Sequence, residues 1–301
     1  MPLTRRQFLD LTFKRAALGT AGFGILAGGA GLAQAYAPAQ LNTHRAGLRG
    51  LTRPVRVLLL ADLHYGPLIG LGQVRGWIDK ALSARADVIL LLGDFVDVDL
   101  SAQLPHAFLD ELGRLSAPLG VWGVWGNHDY SSFGLLSEPN TWPRQRDALT
   151  AELAQRRIRI LCNEGAMLRP DLFLGGVDDV WGGVPDVPAA VRGALTGAAR
   201  MVMSHNPDVL ADAPPLFDLM LSGHTHGGQV RLPLVGALVV PSRYGQRFAQ
   251  GWIEGGAAQS PGSKPELAPR GFVSRGLGLT TIPLRNLCPS EIVMLDLHPA
   301  G

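Results

Sequence analysis

From Arg53 onward one unit recurs along the chain: a short uninterrupted apolar run, a cluster of Asp, His, Asn and Gly, then a segment of helical spacing. The runs are "VRVLLLADLH" (Val55 to His64), "DVILLLGDFVD" (Asp87 to Asp97), "GVWGVWGNHD" (Gly120 to Asp129), "RMVMSHNPD" (Arg200 to Asp208) and "DLMLSGHTHGG" (Asp218 to Gly228). Apolar runs this short, bounded by turn residues, fit strands buried on both faces beneath helices. Gln73–Ala84, Leu104–Leu115 and Arg144–Arg156 have the spacing of the covering helices. The reading is one layered α/β domain over residues 54–298, preceded by a linker at 38–53. A chain of 301 residues that is 47% hydrophobic and 17% charged has the apolar content for such a core.

Every polar cluster falls at the carboxyl end of an expected strand, where α/β folds gather ligands from distant parts of the chain. His64, His128, His205, His224 and His226 lie there, with Asp62, Asp94 and Asn127 beside them, whereas His44, His106 and His298 do not. One such histidine alone is better read as a hydrogen-bonded structural residue; five together with acids are better read as a ligand site. His224 and His226 are separated by one residue, so a strand-like backbone turns both rings to one side and Thr225 away.

The first 37 residues have another character. "TRRQFLDLTFKR" (Thr4 to Arg15) pairs two arginines ahead of Phe8 and Leu9, a Gly/Ala-rich apolar stretch runs from Ala16 to Ala33, and "AQA" (Ala33 to Ala35) offers small residues for cleavage. This resembles a twin-arginine export signal, with Thr4 and Asp10 departing from the commoner residues. The expectation is export to the periplasm or cell envelope, with the segment either cleaved or retained as an inner-membrane anchor. Residues 1–35 carry four basic groups and one acid, so their loss turns a net charge of +2 into −1. With no basic run either, nucleic acid is excluded as a partner class. Cys162 and Cys288 lack metal-ligand spacing, which leaves a disulfide or two separate buried thiols.

"DLH", "GDFVD", "GNHD", "SHNPD" and "GHTHGG" follow one another between residues 62 and 228, and in this order they resemble the calcineurin-like metallophosphoesterase family. The tail "FVSRGLGLTTIPLRNLCPSEIVML" (Phe272 to Leu295) is similar to the end of an exported or membrane-associated bacterial branch, although Ala61 stands where that branch often has Ser. The resemblance implies a single catalytic domain folded as an α/β/β/α sandwich. It also implies two divalent metal ions, one held by Asp62, His64, Asp94 and His226, the other by Asp94, Asn127, His205 and His224. A carboxylate has two oxygens with which to bridge such ions, and neutral imidazoles suit the terminal positions. The donors are nitrogen and oxygen without thiolate, which suits Mn, Fe, Co, Ni or Zn; the resemblance points to Mn.

Two divalent ions set against Asp62, Asp94 and one bridging hydroxide leave a positive centre that favours an anionic phosphoryl group and a water-derived nucleophile. His128 is the candidate general acid and Asp97, by resemblance, its orienting partner. For Asp129, turn or helix capping stands beside catalysis. The apolar side chains Leu68, Ile69, Phe133, Leu135, Leu136, Trp142 and Trp181 either rim the cleft for an acyl chain or pack beneath their loops. Arg243, Arg247, Arg275 and Arg285 either meet a second phosphate or brace the C-terminal strands. The expected activity is a phosphodiesterase acting on an envelope or periplasmic small-molecule or lipid phosphoester, delivered by the twin-arginine machinery. The alternatives are a diphosphatase for a lipid-linked sugar or nucleotide, similar to UDP-diacylglucosamine pyrophosphatases, and a non-catalytic metal-binding module. His128 and Asp97 weigh against the last, since binding alone needs no proton donor.

Overall fold

The computed structural model describes residues 31–100, 103–136, 141–254 and 270–300. Its strands, in chain order, are β1 (Gln40–Leu48), β2 (Val55–Leu60), β3 (Val88–Leu91), β4 (Val121–Gly123), β5 (Ile158–Ile160), β6 (Glu164–Arg169), β7 (Leu172–Gly176), β8 (Ala199–Met203), β9 (Leu219–Ser222), β10 (Arg231–Leu232), β11 (Gly236–Ala237), β12 (Gly251–Glu254), β13 (Arg270–Val273) and β14 (Glu291–Pro299). They form one six-stranded sheet in the order β1-β14-β2-β3-β4-β5, a second in the order β12-β13-β9-β8-β7-β6, and the small hairpin β10-β11. Within the first sheet β2 to β5 run parallel, as do β7, β8, β9 and β13 within the second.

The period of two in the apolar runs sorts side chains into layers. Val57 and Leu59 of β2 and Val88 and Leu90 of β3 point between the sheets, where they meet Leu172, Leu174, Met201, Leu219 and Leu221. Leu58, Leu60, Ile89 and Leu91 point outward onto helices α1 (Leu71–Ser83), α2 (His106–Leu112) and α4 (Trp142–Gln155) through Val74, Ile78, Phe108, Leu109, Leu149 and Leu153. The short α3 (Asn127–Ser132) lies between α2 and α4 in sequence. On the far side of the second sheet, Val202, Met220 and Val273 pack on two single turns, α5 (Val187–Ala190) and α6 (Val209–Asp212), and on Phe248. The result is an α/β/β/α sandwich whose second helical layer is thin. The three expected helices form within two to three residues of their expected limits.

Residues 38–53 are not a linker. β1 pairs in parallel with β14 from Gln40 opposite Glu291 to Leu48 opposite Pro299. Ala46 and Leu48 enter the core between the sheets. The Asn42 amide donates to Glu291 Oε2 at 2.6 Å, and Thr52 donates through its amide and its hydroxyl to Asp171 Oδ2 at 2.8 and 2.7 Å. "QLNTHRAGL" hides this strand because it is an edge: its first half is polar and exposed. Of the expected export segment, residues 1–30 lie outside the described residues, and 31–35 form a helical turn. Among the described residues no helix is long and apolar enough to cross a membrane.

Leu48 is 2% exposed, so Leu48→Ala is expected to cost about 2–4 kcal/mol. That lowers Tm by roughly 5–10 °C for a domain of this size. Thermal unfolding followed by circular dichroism reads the difference; an unchanged Tm would mean that β1 contributes nothing.

Candidate metal centre

The expected ligands all follow strand ends on one edge of the sandwich. Asp62 and His64 come after β2, Asp94 and Asp97 after β3, Asn127 and His128 at the start of α3 after β4, His205 after β8, and His224 and His226 after β9. Five of them leave ordinary backbone space: Asp62, His64, Asp94, His224 and His226 have φ of 54°, 47°, 52°, 71° and 51°. A non-glycine residue in this left-handed region is strained by about 1–3 kcal/mol, and clusters of such residues mark functional sites. His224 and His226 therefore do not share a side by strand alternation. β9 has ended at Ser222, and a left-handed, right-handed, left-handed backbone sequence swings both rings inward.

One glycine shows how closely the loops approach. A Cβ on Gly126 would sit 2.2 Å from Asp94 Oδ1 and 2.6 Å from the Asp94 backbone nitrogen, although its own φ is unremarkable. The "GNHD" loop thus needs Gly because Asp94 occupies the space.

Among the described residues, three groups place possible donor atoms within 4.8 Å of one another: Asp62, His64 and His226; Asp94, His205 and His224; and His64, Asp94 and His128. In the first, His64 Nε2 faces His226 Nε2 at 3.0 Å and Asp94 Oδ2 at 3.4 Å, with Asp62 Oδ1 4.0 Å from His226. In the second, His205 Nε2 faces Asp94 Oδ2 at 3.2 Å, Asn127 Oδ1 at 3.2 Å and His224 Nδ1 at 3.1 Å. The pair of sets matches the expected division of ligands, with one change. Asp94 spans them through a single oxygen, because His128 N–H donates to its Oδ1 at 2.8 Å.

This packing of donors fits cations. His205 donates Nδ1–H to the Leu92 carbonyl at 2.8 Å, so its neutral ring presents only a lone pair to three further acceptors. Asp62 Oδ2 is buried without any hydrogen-bond partner. Acceptors held face to face in a buried site repel unless a metal ion or a proton lies between them. Without metal the proton takes that place: burial opposes it, but Asp94 and Asp62 lift the His205 imidazole to about 10. Burial lowers His64 to about 3 and holds His224 and His226 well below their ordinary value, so these rings are neutral and competent to bind metal. Burial raises Asp62 to about 7, whereas Asp94 stays well below the usual carboxylate range because His205, His128 and His64 outweigh its burial.

His128 is partly open, with 30% of its side chain exposed, and its ring stands edge-on to His64. Its Nδ1 lies 3.2 Å from Asp97 Oδ1. Burial opposes charge on this ring, yet Asp94 and the Asp97 hydrogen bond raise it to about 9, and the same bond lowers Asp97. Asp129 is a loop clamp: its carboxylate accepts from Phe95 N, Val96 N and Gly126 N, tying the loop after β3 to the start of α3.

Of two further neighbours, Trp181 was among the candidate rim residues and Asp179 escaped the sequence reading. Trp181 stands edge-on to His224 with ring centroids 4.6 Å apart, and buried Asp179 accepts from Trp181 N and Gly182 N at 2.7 and 2.6 Å. "DLFLGGVDDV" has the same apolar run and Asp/Gly cluster as the others but no histidine to draw the eye. Of the candidate rim residues, Ile69 and Phe133 are buried in the core, while Leu68, Leu135 and Trp142 pack against it; Leu136 is exposed. The arginines brace the fold: Arg243 pairs with Asp212, Arg275 with Glu291, Arg247 bonds the Glu254 carbonyl, and Arg285 is buried among backbone carbonyls. Cys162 and Cys288 are both free thiols.

Gly126→Ala is expected to displace Asp94 and reduce bound metal from two ions per chain to one or fewer. Elemental analysis of the dialysed protein measures this, and full occupancy in the variant would contradict the close-approach argument.

Comparison with known proteins agrees with this geometry. Residues 55–228 match the model of the calcineurin-like phosphoesterases. Phosphodiesterase YaeI of Escherichia coli is 31% identical over 98% of this chain and 99% of its own length. The uncharacterized metallophosphoesterase YkuE of Bacillus subtilis is 27% identical over 98% of both. A dimetal phosphatase of known structure from Danio rerio is 13% identical with a TM-score of 0.41, covering 76% of this chain and 89% of that one, too loose a likeness to bear on mechanism. With its metallophosphoesterase domain, its paired donor sets and these relatives, the chain belongs to the calcineurin-like phosphoesterase family.

Proposed function

We propose that this metal-dependent phosphoester hydrolase is a phosphodiesterase that is exported by the twin-arginine route and acts on a phosphoester of the cell envelope. The observation that carries the hydrolytic reading is Asp94 Oδ2, shared between His64 and His205 at 3.4 and 3.2 Å at the junction of two donor sets. The diester preference is supported by similarity to a protein named as a phosphodiesterase. Export is supported by the arginine pair and apolar stretch of the first 37 residues.

Asp62, His64, Asp94 and His226 would hold one divalent ion, and Asp94, Asn127, His205 and His224 the other; Mn is the metal we favour for these nitrogen and oxygen donors. When bound, the ions polarise the phosphoryl oxygens and make a water acidic enough to attack near neutral pH. The protein's own groups do the rest. The Leu92 carbonyl fixes the His205 tautomer so that Nε2 faces inward. Asp97 holds Nδ1–H of His128, leaving Nε2–H to donate to the departing oxygen. Asp129 fixes the loop that carries His128. Trp181 packs edge-on against the His224 ring and steadies it.

A proton donor matters only when the departing oxygen is basic. His128→Ala is therefore expected to keep its metals and to lose about 10²–10⁴ in kcat on an alkyl phosphodiester. On bis(nitrophenyl) phosphate, whose leaving group needs no proton, the loss should be far smaller. Equal losses on both substrates would refute the assignment. EDTA should abolish both activities and Mn²⁺ restore them; activity undiminished by the chelator would overturn the metal-dependent reading.

A further inference from the structure

We propose that the face bearing the β10-β11 hairpin seats on a lipid bilayer, so that the metal centre opens toward the membrane surface. This rests on the envelope reading above and deepens it by naming the surface. The hairpin tip is apolar and unprotected: Leu234 is 109% exposed, and Val235 and Leu238 are also exposed. An exposed apolar tip of this kind buries nothing within the fold, which marks an interaction surface. The tip is nonetheless held in place. Gln246 donates to the Val235 carbonyl at 2.6 Å and accepts from Ala237 N at 3.0 Å.

The neighbouring segment extends the same face. Asn286 bonds both sides of Arg231, its amide nitrogen donating to Gln229 O, its carbonyl accepting from Arg231 N and its side chain donating to Arg231 O, and it thereby sets exposed Leu287 beside the hairpin root. The same C-terminal segment receives the start of the described chain. Arg285 N donates to the Gly31 carbonyl at 3.1 Å, and Cys288 N donates to the Gln34 side chain at 3.0 Å. Exposed Leu32 and Tyr36 lie on and after that turn. The helical turn at residues 31–35 therefore lies on the face where Leu287 is exposed and the hairpin is rooted.

Charge favours lipid over another protein copy. The described segments that supply this face, residues 31–37, 229–253 and 280–290, contain no Asp or Glu and carry Arg231 and Arg247, while Arg275 is neutralised by Glu291 and Arg285 is buried. Two such faces repel one another, whereas anionic headgroups attract them. The hairpin is also rooted in the metal loop, since Arg231 donates to the Gly227 carbonyl at 2.8 Å. Apolar tips at an interface enter the boundary between headgroups and acyl chains, which brings headgroup phosphoesters to the level of the centre.

The test uses the full chain in vesicles of phosphatidylethanolamine and phosphatidylglycerol, with an environment-sensitive dye on Leu234→Cys. The control is Leu195→Cys, also exposed but ahead of β8 at the amino ends of the strands; labelling of the unsubstituted chain gives the background from Cys162. Brominated acyl chains should quench the dye at 234 at least twofold and leave the dye at 195 unaffected. Equal emission at the two positions overturns the proposal, as does a concentration-dependent dimer in sedimentation without quenching at 234. Quenching needs no turnover, so docking without lipid cleavage would refute the lipid substrate and leave the docking face standing. The pair Leu234→Glu with Val235→Glu should keep hydrolysis of soluble bis(nitrophenyl) phosphate within twofold and reduce quenching of a dye at position 287 by a similar factor; undiminished quenching there also counts against the face.

Discussion

The structure depends on keeping oxygen and nitrogen lone pairs pointed at one another in a buried place. Asp94 Oδ2, His205 Nε2, Asn127 Oδ1 and His224 Nδ1 meet within 3.1–3.2 Å contacts around His205, and nothing in a protein tolerates that arrangement without positive charge between them. Folding has to hold the residues there before the charge arrives. Five of the seven candidate ligands do so from left-handed backbone, each opposed by sterics, and the opposing force comes from the two sheets that clamp the loops. The apolar strands and the polar loop ends are parts of one device: the first supply the burial free energy that the second consume as strain.

The candidate proton donor and the candidate ligands differ in access. Candidate metal ligands such as Asp62 and His205 are fully buried, whereas His128 and Asp97 retain 30% and 39% of their side-chain exposure. A proton donor must exchange with solvent between turnovers, while a ligand must not. Asp129, next to His128 in the chain, belongs to the buried class and accepts from three backbone amides.

Much of this was legible in the sequence because the fold repeats one local logic, apolar run then polar cluster. The layered α/β class, the three covering helices and the gathering of polar side chains at strand ends followed from it, whereas the α/β/β/α order and the division of the candidate ligands into two sets came from the family resemblance. Three features followed from neither. β1 was hidden because an edge strand need not be apolar; its partner, β14, lies some 250 residues on, and periodicity carries no information about pairing at that distance. The inward turn of His224 and His226 came out right for a wrong reason, since positive φ at a histidine leaves no trace in residue type. Asp179 carried the common signature but lacked the histidine that made the other clusters stand out, and Trp181, read as a possible rim residue, gave no sign of its contact with His224.

The pairing of β1 with β14 joins nearly the first described residues to nearly the last, and the loop between β13 and β14 closes on a ligand: Leu277 N donates to the Ala61 carbonyl at 2.9 Å and Gly278 N to the Asp62 carbonyl at 2.6 Å. On a ribosome, the segment that fixes Asp62 emerges after every other ligand. A nascent chain therefore has no finished cavity to trap an ion, and maturation of the centre is tied to completion of synthesis. Contacts of such long range also make assembly slow.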